Sequence, residues 1–174
     1  TKTVSYRNLI TAAVCLLFVL IAGHWLYFTP TAGISIDINP SIELGVNRFD
    51  KVVSIDGYND AGQELADTLN IKFTDYNEAV NCILEDEKIA TLLSNDAFMT
   101  IAVVGPNGEQ TVRMLSDMET YTAGQKNTHC FSAHAEDVET AHKMGLSFGK
   151  YRAFLEVQAL DPSITPEQIQ RMTM

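Results

Sequence analysis

The chain has 174 residues, with 12 Lys and Arg against 22 Asp and Glu, and a net charge of −10 at pH 7. That length suits one domain of ordinary size plus an appendage. The acidic balance argues against nucleic acid and against general docking onto anionic lipid, since both need cationic surfaces.

The first residue is Thr1 rather than Met, as expected of a piece of a longer product. Residues 1–8 form a short stub. From Leu9 to Phe28 the sequence reads "LITAAVCLLFVLIAGHWLYF", with no Asp, Glu, Lys or Arg. A helix of that length spans about 30 Å, the thickness of a bilayer's hydrocarbon core. Trp25, Tyr27 and Phe28 cluster at one end, where an interfacial aromatic belt lies. Lys2 and Arg7 precede the run, and the next basic residue is Arg48. This asymmetry predicts a single-pass cell-membrane protein with a cytoplasmic N-terminus and an extracellular remainder. A cleavable signal peptide is the rival, although its apolar region is shorter, about 7–15 residues. His24 is expected to sit wetted at interface depth.

Residues 29–33 are a linker, and 34–174 are read as one extracytoplasmic domain. Ile34, Ile36 and Ile38 alternate with Ser35, Asp37 and Asn39, the period of a half-buried strand. After Pro40 the alternation resumes with Ile42, Leu44 and Val46 against Ser41, Glu43 and Gly45. "NRFD" turns the chain into a third strand from Lys51 to Tyr58, with Val53 and Ile55 inward, giving a three-stranded meander.

"NDAGQELADTLN" reads as a short amphipathic helix. "TDYNEAVNCILEDEKIATLLS" reads as one longer helix with a cap at Thr74 or Asp75. "AFMTIAVV" is a buried strand, Glu109 to Thr122 a helix and "THCFSAHA" a final strand. "EDVETAHKMG" ends at Gly145 as a helix C-cap. "SFGKYRAFLEVQAL" offers Tyr151, Phe154, Leu155 and Leu160 for an apolar face. The last helix starts at Pro166 behind a Thr165 cap. The expected fold class is α+β, a small mixed sheet covered by helices.

Chemical motifs are sparse. His129, Cys130, His134 and His142 lack metal-ligand spacing, and neither a metal nor a cofactor is expected. No G-x-S-x-G, Walker loop or H-E-x-x-H occurs, so a hydrolase is disfavoured. Gly105-Pro106-Asn107-Gly108 is a turn. Cys82 and Cys130 are read as two separate core positions rather than a disulfide. In "GLSFGKY", Lys150 and Tyr151 form a helix-start packing motif or a partner contact. Tyr58 and Tyr76 are placed at the core rim.

Asn39-Pro40 is the feature with chemistry in it. One reading is a tight turn, where both residue types are favoured. The other starts from the missing proline N–H, which blocks the usual attack of the following nitrogen on the Asn amide. The Asn39 side-chain nitrogen is left to attack its own carbonyl carbon, close a five-membered ring and expel the Pro40 nitrogen. A fold accelerates such a step by fixing geometry, by strain and by donors at the oxyanion. Asp37, Ser41 and Glu43 are close enough in sequence to help.

"SIDINPSIELGVNRFDKVVSIDGYNDAG" behind a single membrane helix resembles the juxtamembrane region of RsgI-type transmembrane anti-sigma factors of clostridia and bacilli. "GLSFGKYRAFLEVQALDPSIT" is similar to the closing helices of the same domain. The resemblance runs from Lys2 to Met174, and "DINPSIEL" is its most specific part. It implies autocatalytic cleavage at Asn39–Pro40, with the halves staying together. It further implies a cytoplasmic sigma-factor-binding domain, intramembrane proteolysis once the outer half is lost, and a C-terminal module that senses polysaccharide. Eight residues before the membrane are too few for the first, and no sugar-binding module is visible, so neither role falls on these residues. A single-turnover self-cutting regulator is therefore expected, not a turnover enzyme. A non-cleaving membrane-anchored binding or scaffold module is the alternative.

Overall fold

A computed structural model of the chain describes residues 6–95, 97–106 and 108–172. Residues 1–5 of the stub and Asn107 of the 105–108 turn lie outside the described residues. Helix α1 runs from Tyr6 to Phe28, with no buried residue along it. Its 23 residues exceed the 20-residue apolar run by three at the N-terminal end. It closes where the Thr29 N–H donates to the Trp25 carbonyl at 3.1 Å.

Five strands follow among the described residues: β1 (Ala32–Asp37), β2 (Ser41–Val46), β3 (Val52–Gly57), β4 (Met99–Val104) and β5 (Thr128–Ser132). They form one mixed sheet in the order β3-β2-β1-β4-β5. The expected meander β1–β2–β3 is present. β4 then pairs antiparallel with the free side of β1, and β5 joins β4 in parallel. The first strand after α1 is thus the central one. Both its edges are hydrogen-bonded, and all six of its residues are buried.

Among the described residues seven helices cover the two faces: α2 (Asp60–Thr68), α3 (Tyr76–Leu84), α4 (Glu87–Ser94), α5 (Glu109–Thr122), α6 (Ala135–Lys143), α7 (Phe148–Leu160) and α8 (Pro166–Arg171). On one face Ile34, Ile36 and Ile38 pack with Ile42, Leu44, Ile101 and residues of α2 to α5 into the main core. On the other, Ala102 and Val104 meet Leu146, Phe148, Tyr151, Phe154 and Ile169 of the α6–α8 segment. The sheet lies between two helical layers, and the class is α+β.

Several expectations are corrected. β1 is not half-buried, because α7 closes over its polar side. The helix drawn through Glu85 is two helices, since the Asp86 side chain accepts from the Lys88 and Ile89 N–H groups and starts α4 anew. Val52, not Val53, enters the core. The register of β2 with β3 slips at Gly45/Val46, so Val46 faces Val52 and Gly45 faces Ser54, leaving Val53 as the extra residue of a bulge. Cys82 is exposed on α3 and Cys130 half-buried, both free. Tyr76 is a core residue. Leu155 and Leu160 face solvent, leaving Tyr151 and Phe154 to bury α7. Caps at Thr165 and Gly145 follow expectation: Thr165 and Gln168 form a capping box, and Gly145 has a φ of +70°.

Candidate functional site

Ile38, Asn39 and Pro40 form the tip of the β1–β2 hairpin, between the paired Asp37 and Ser41. The Ile38 N–H donates to the Pro40 carbonyl at 3.1 Å, so the tip is tight. Asn39 sits at φ +87°, in the left-handed region. Among non-glycine residues asparagine is one of the few that tolerate that region, at a cost on the order of 1 kcal/mol.

Asn59 holds the tip from outside. Its Oδ1 accepts the Gly62 N–H at 2.7 Å as the N-cap of α2, and the Ser41 N–H at 3.1 Å. Two backbone donors on one atom fix that end of the amide as the oxygen. The Asn59 Nδ2 therefore donates to the Asn39 Oδ1, at 2.8 Å. This bond takes the oxygen of Asn39 and leaves its nitrogen as the amide end that Asn59 does not engage. Gly62 is required here, because a Cβ would run into the Ser41 carbonyl oxygen. That oxygen also accepts the Tyr58 N–H at 2.9 Å, so the residue after Pro40 is held on both backbone groups.

Below the tip, a chain of buried polar groups runs between the sheet and α7. The Asp37 carboxyl accepts from the Ser35 hydroxyl at 2.7 Å, from the Ser147 hydroxyl at 2.6 Å, and from the Ser41 hydroxyl across the hairpin. Ser147 is at the same time the N-cap of α7, accepting the Lys150 N–H at 3.1 Å. Gly149 passes so close to Asp37 that a Cβ would collide with the carboxyl. Burial pushes the Asp37 pKa up, against the three hydroxyl donors and the positive field of Lys150. The Lys150 ammonium is itself buried and donates to the carbonyls of Gln170 at 2.8 Å and Met172 at 3.1 Å, which ties α8 to α7. Burial lowers its pKa and Asp37 opposes that.

Glu43 lies further along β2. Its Oε1 accepts the Phe148 N–H at 2.6 Å, and its Oε2 lies 2.9 Å from the His142 Nε2. Burial raises the Glu43 pKa to about 8, and burial lowers that of His142. At neutral pH the contact is thus a hydrogen bond from a protonated carboxyl to a neutral imidazole rather than an ion pair. Tyr58 stacks on that ring at 5.2 Å, and burial raises its pKa.

Of the residues singled out in the sequence, Asp37 and Ser41 do meet, clamping the neck of the Asn39-Pro40 loop. Glu43 is engaged by α6 and α7 instead. Asn59, Ser147, Gly149 and Lys150 were missed as parts of the site. Asn59 and Ser147 carry an N-cap signal ahead of a helix, but their second contacts, 20 and 110 residues away, leave no local trace. His129, Cys130 and His134 stay apart from this region. Among the described residues no three His, Cys, Asp or Glu side chains gather as a metal site.

A membrane-length helix leading into a sheet whose first hairpin carries this tip defines a class. Residues 31–156 match the family described as the anti-sigma factor RsgI-like central domain, and the chain belongs to that family. It is 24% identical to the anti-sigma-I factor RsgI7 of Acetivibrio thermocellus, over 82% of this chain and 28% of that protein. It is 27% identical to the anti-sigma-I factor RsgI of Bacillus subtilis, over 69% of this chain and 33% of the relative. RsgI9 of A. thermocellus is 24% identical over 79% of the chain and 22% of its own length. The chain thus spans about a fifth to a third of the curated relatives it matches.

Proposed function

We propose that this chain is the membrane-anchored middle part of an anti-sigma factor, cut by its own chemistry between Asn39 and Pro40. In the reaction the Asn39 Nδ2 bonds to the Asn39 carbonyl carbon and gives up a proton. The C–N bond to Pro40 breaks, and the proline nitrogen takes a proton and becomes a new N-terminus. The fragments stay associated because β1, which ends the membrane half, is the central strand of the sheet. The orientation that fits the Lys2 and Arg7 asymmetry puts this sheet outside the cell. Removal of the outer fragment would then expose the membrane stub to an intramembrane protease and free a sigma factor held by a cytoplasmic domain. A polysaccharide-binding module on the outer side would supply the signal.

The observation that carries this reading is the pinned tip: a left-handed Asn39 whose oxygen is held by Asn59 and whose neighbour Ser41 is fixed on both backbone groups. Asp37 and Ser41 act as positioning residues that keep the hairpin neck shut. Glu43 acts at a distance, by seating α7 on the sheet. The hold on β1 is strong enough for a latch. Ile34, Ile36 and Ile38 are 0–1% exposed, each contributing roughly 1.5–3 kcal/mol. With about 1 kcal/mol net per ladder hydrogen bond the total is on the order of 10 kcal/mol before ordering entropy.

The purified chain on a denaturing gel should give fragments of 39 and 135 residues, the larger beginning at Pro40 by mass spectrometry. Asn39→Ala should give one band. A wild-type chain that stays intact on prolonged incubation would overturn the cleavage step and leave an anchored scaffold.

A further inference from the structure

We infer that the turn tips carrying Phe49 and Phe73 rest in the headgroup region of the bilayer beside α1, a membrane contact of the outer domain separate from β1. The inference rests on the reading of α1 as a membrane helix and adds a second, independent point of attachment. Strand polarity places both tips at the α1 end of the sheet. Ala32, just after α1, pairs with Val46, so the β2–β3 turn that follows Val46 emerges there. Phe73 is held beside it, its N–H donating to the Val52 carbonyl at 2.7 Å while the Val52 N–H donates to Thr74 at 3.0 Å.

The buried Asn47 joins this turn to the helix. Its Nδ2 donates to the Tyr27 carbonyl at 2.7 Å, and its Oδ1 accepts the Phe49 and Lys51 N–H groups at 2.9 and 3.0 Å. The rings then form a continuous layer. Tyr27 stacks with Phe49 at 6.0 Å and lies 6.4 Å from Phe73, while Phe28 meets Phe73 edge-on at 5.7 Å.

Phe49 and Phe73 are 50% and 49% exposed, so packing within the domain leaves about half of each residue in contact with the surroundings. Phe73 also sits at φ +67°, a conformation a bulky side chain rarely adopts. Aromatic rings at the end of a spanning helix favour the headgroup zone. The charges around them agree. Arg48 and Lys72 are exposed next to the two rings. The nearby acids are already paired, Asp50 with Arg113 at 2.7 Å and Asp75 with Lys51 at 3.7 Å. The side chains named at this corner therefore carry an excess of positive charge, although the chain as a whole is acidic. Both rings lie beyond Asn39–Pro40 in sequence, so after a cut there the outer fragment would remain seated on the lipid through contacts of its own.

The test uses the full chain in phosphatidylcholine vesicles, with lipids brominated near the glycerol end of the acyl chains as quenchers. In a Trp25→Phe background, Phe73→Trp and Phe49→Trp should emit at shorter wavelength, be quenched by the brominated lipid and be shielded from aqueous iodide. Phe98→Trp, at the opposite end of the sheet and 41% exposed in the native residue, should show the reverse. Circular dichroism checks that each variant is folded. If the tryptophans at 73 and 49 behave like that at 98 while native Trp25 is quenched, the second contact is overturned and the membrane helix stands. If Trp25 is not quenched either, the reading of α1 fails and the inference falls with it.

Discussion

The two sides of β1 and β2 are made from the same twelve residues, yet they are built on different principles. One side presents Ile34, Ile36, Ile42, Leu44 and Val46 to the main core. The other presents Ser35, Asp37, Ser41 and Glu43 to α7. The apolar side supplies non-directional attraction proportional to area, which does not depend on pH. The polar side adds little net energy per bond but allows one register only, since each hydroxyl and carboxyl left unmatched costs about 1–3 kcal/mol. The strand gains its strength from the first side and its alignment from the second.

The sharpest way to separate them is to weaken one at a time. Ile36→Ala, in the centre of β1, should cost about 3 kcal/mol through lost transfer energy and a cavity, read as a lower urea midpoint. That loss should be the same at acid and alkaline pH, and in a cut protein it should speed dissociation of the halves. A loss that varied strongly with pH would blur the distinction.

The polar side should respond to pH with a definite sign. The Glu43 pKa is 4.5 as a free group and about 8 in the fold, so the folded state binds the extra proton between those values. Its contribution is complete below about pH 4.5 and is lost as pH rises towards 8, by on the order of a few kcal/mol. Asp37, raised by burial, acts in the same direction. His142, lowered by burial, acts oppositely: its share is present above about 6.5 and is lost on acidification through its folded pKa. Glu43→Gln should flatten the decline in the urea midpoint between about pH 5 and 8. An unchanged slope would remove Glu43 from the account.

The smallest effect on stability should come from Asn59. Asn59→Ala removes a helix cap, about 1 kcal/mol. Asn59→Asp keeps the oxygen that caps α2 and holds Ser41, but it loses the amide that donates to Asn39. If cleavage occurs, Asn59→Asp should slow fragment formation about tenfold, the equivalent of one hydrogen bond, with stability near that of the native chain. Equal rates in the two proteins would mean that the Asn59 amide nitrogen plays no part in the cut.

How much of this could be read from the sequence depends on how local each signal is. The long apolar helix, the β1–β2–β3 meander and the Thr165 cap are written in adjacent residues, and all are present. So is the Asn-Pro turn. The central position of β1 was hidden, because β4 is more than 60 residues downstream and nothing in "AFMTIAVV" says which edge it joins. Ser35 and Asp37 alternate like solvent-facing residues, and only α7 arriving over them makes them interior. The break at Glu85-Asp86 was legible in principle, since Asp86 is a capping residue followed by helix formers. The periodic apolar positions on either side masked it. The Val53 error has the same origin: a bulge adds one residue and inverts a face without altering the pattern that precedes it.

The antiparallel pairing of β1 with both β2 and β4 fixes how a mechanical load is shared. α1 grips β1 at its Ala32 end, while the α8 segment is tied to Tyr58 at the opposite end of the sheet, through the Gln170 side chain donating to its carbonyl at 3.1 Å. Tension between these points runs along β1, shearing it against its neighbours on both sides, and every ladder bond resists together. A strand at the rim, peeled sideways, would surrender its bonds singly. The placement of β1 therefore makes a joint that ignores small thermal tugs and yields abruptly to a sustained one.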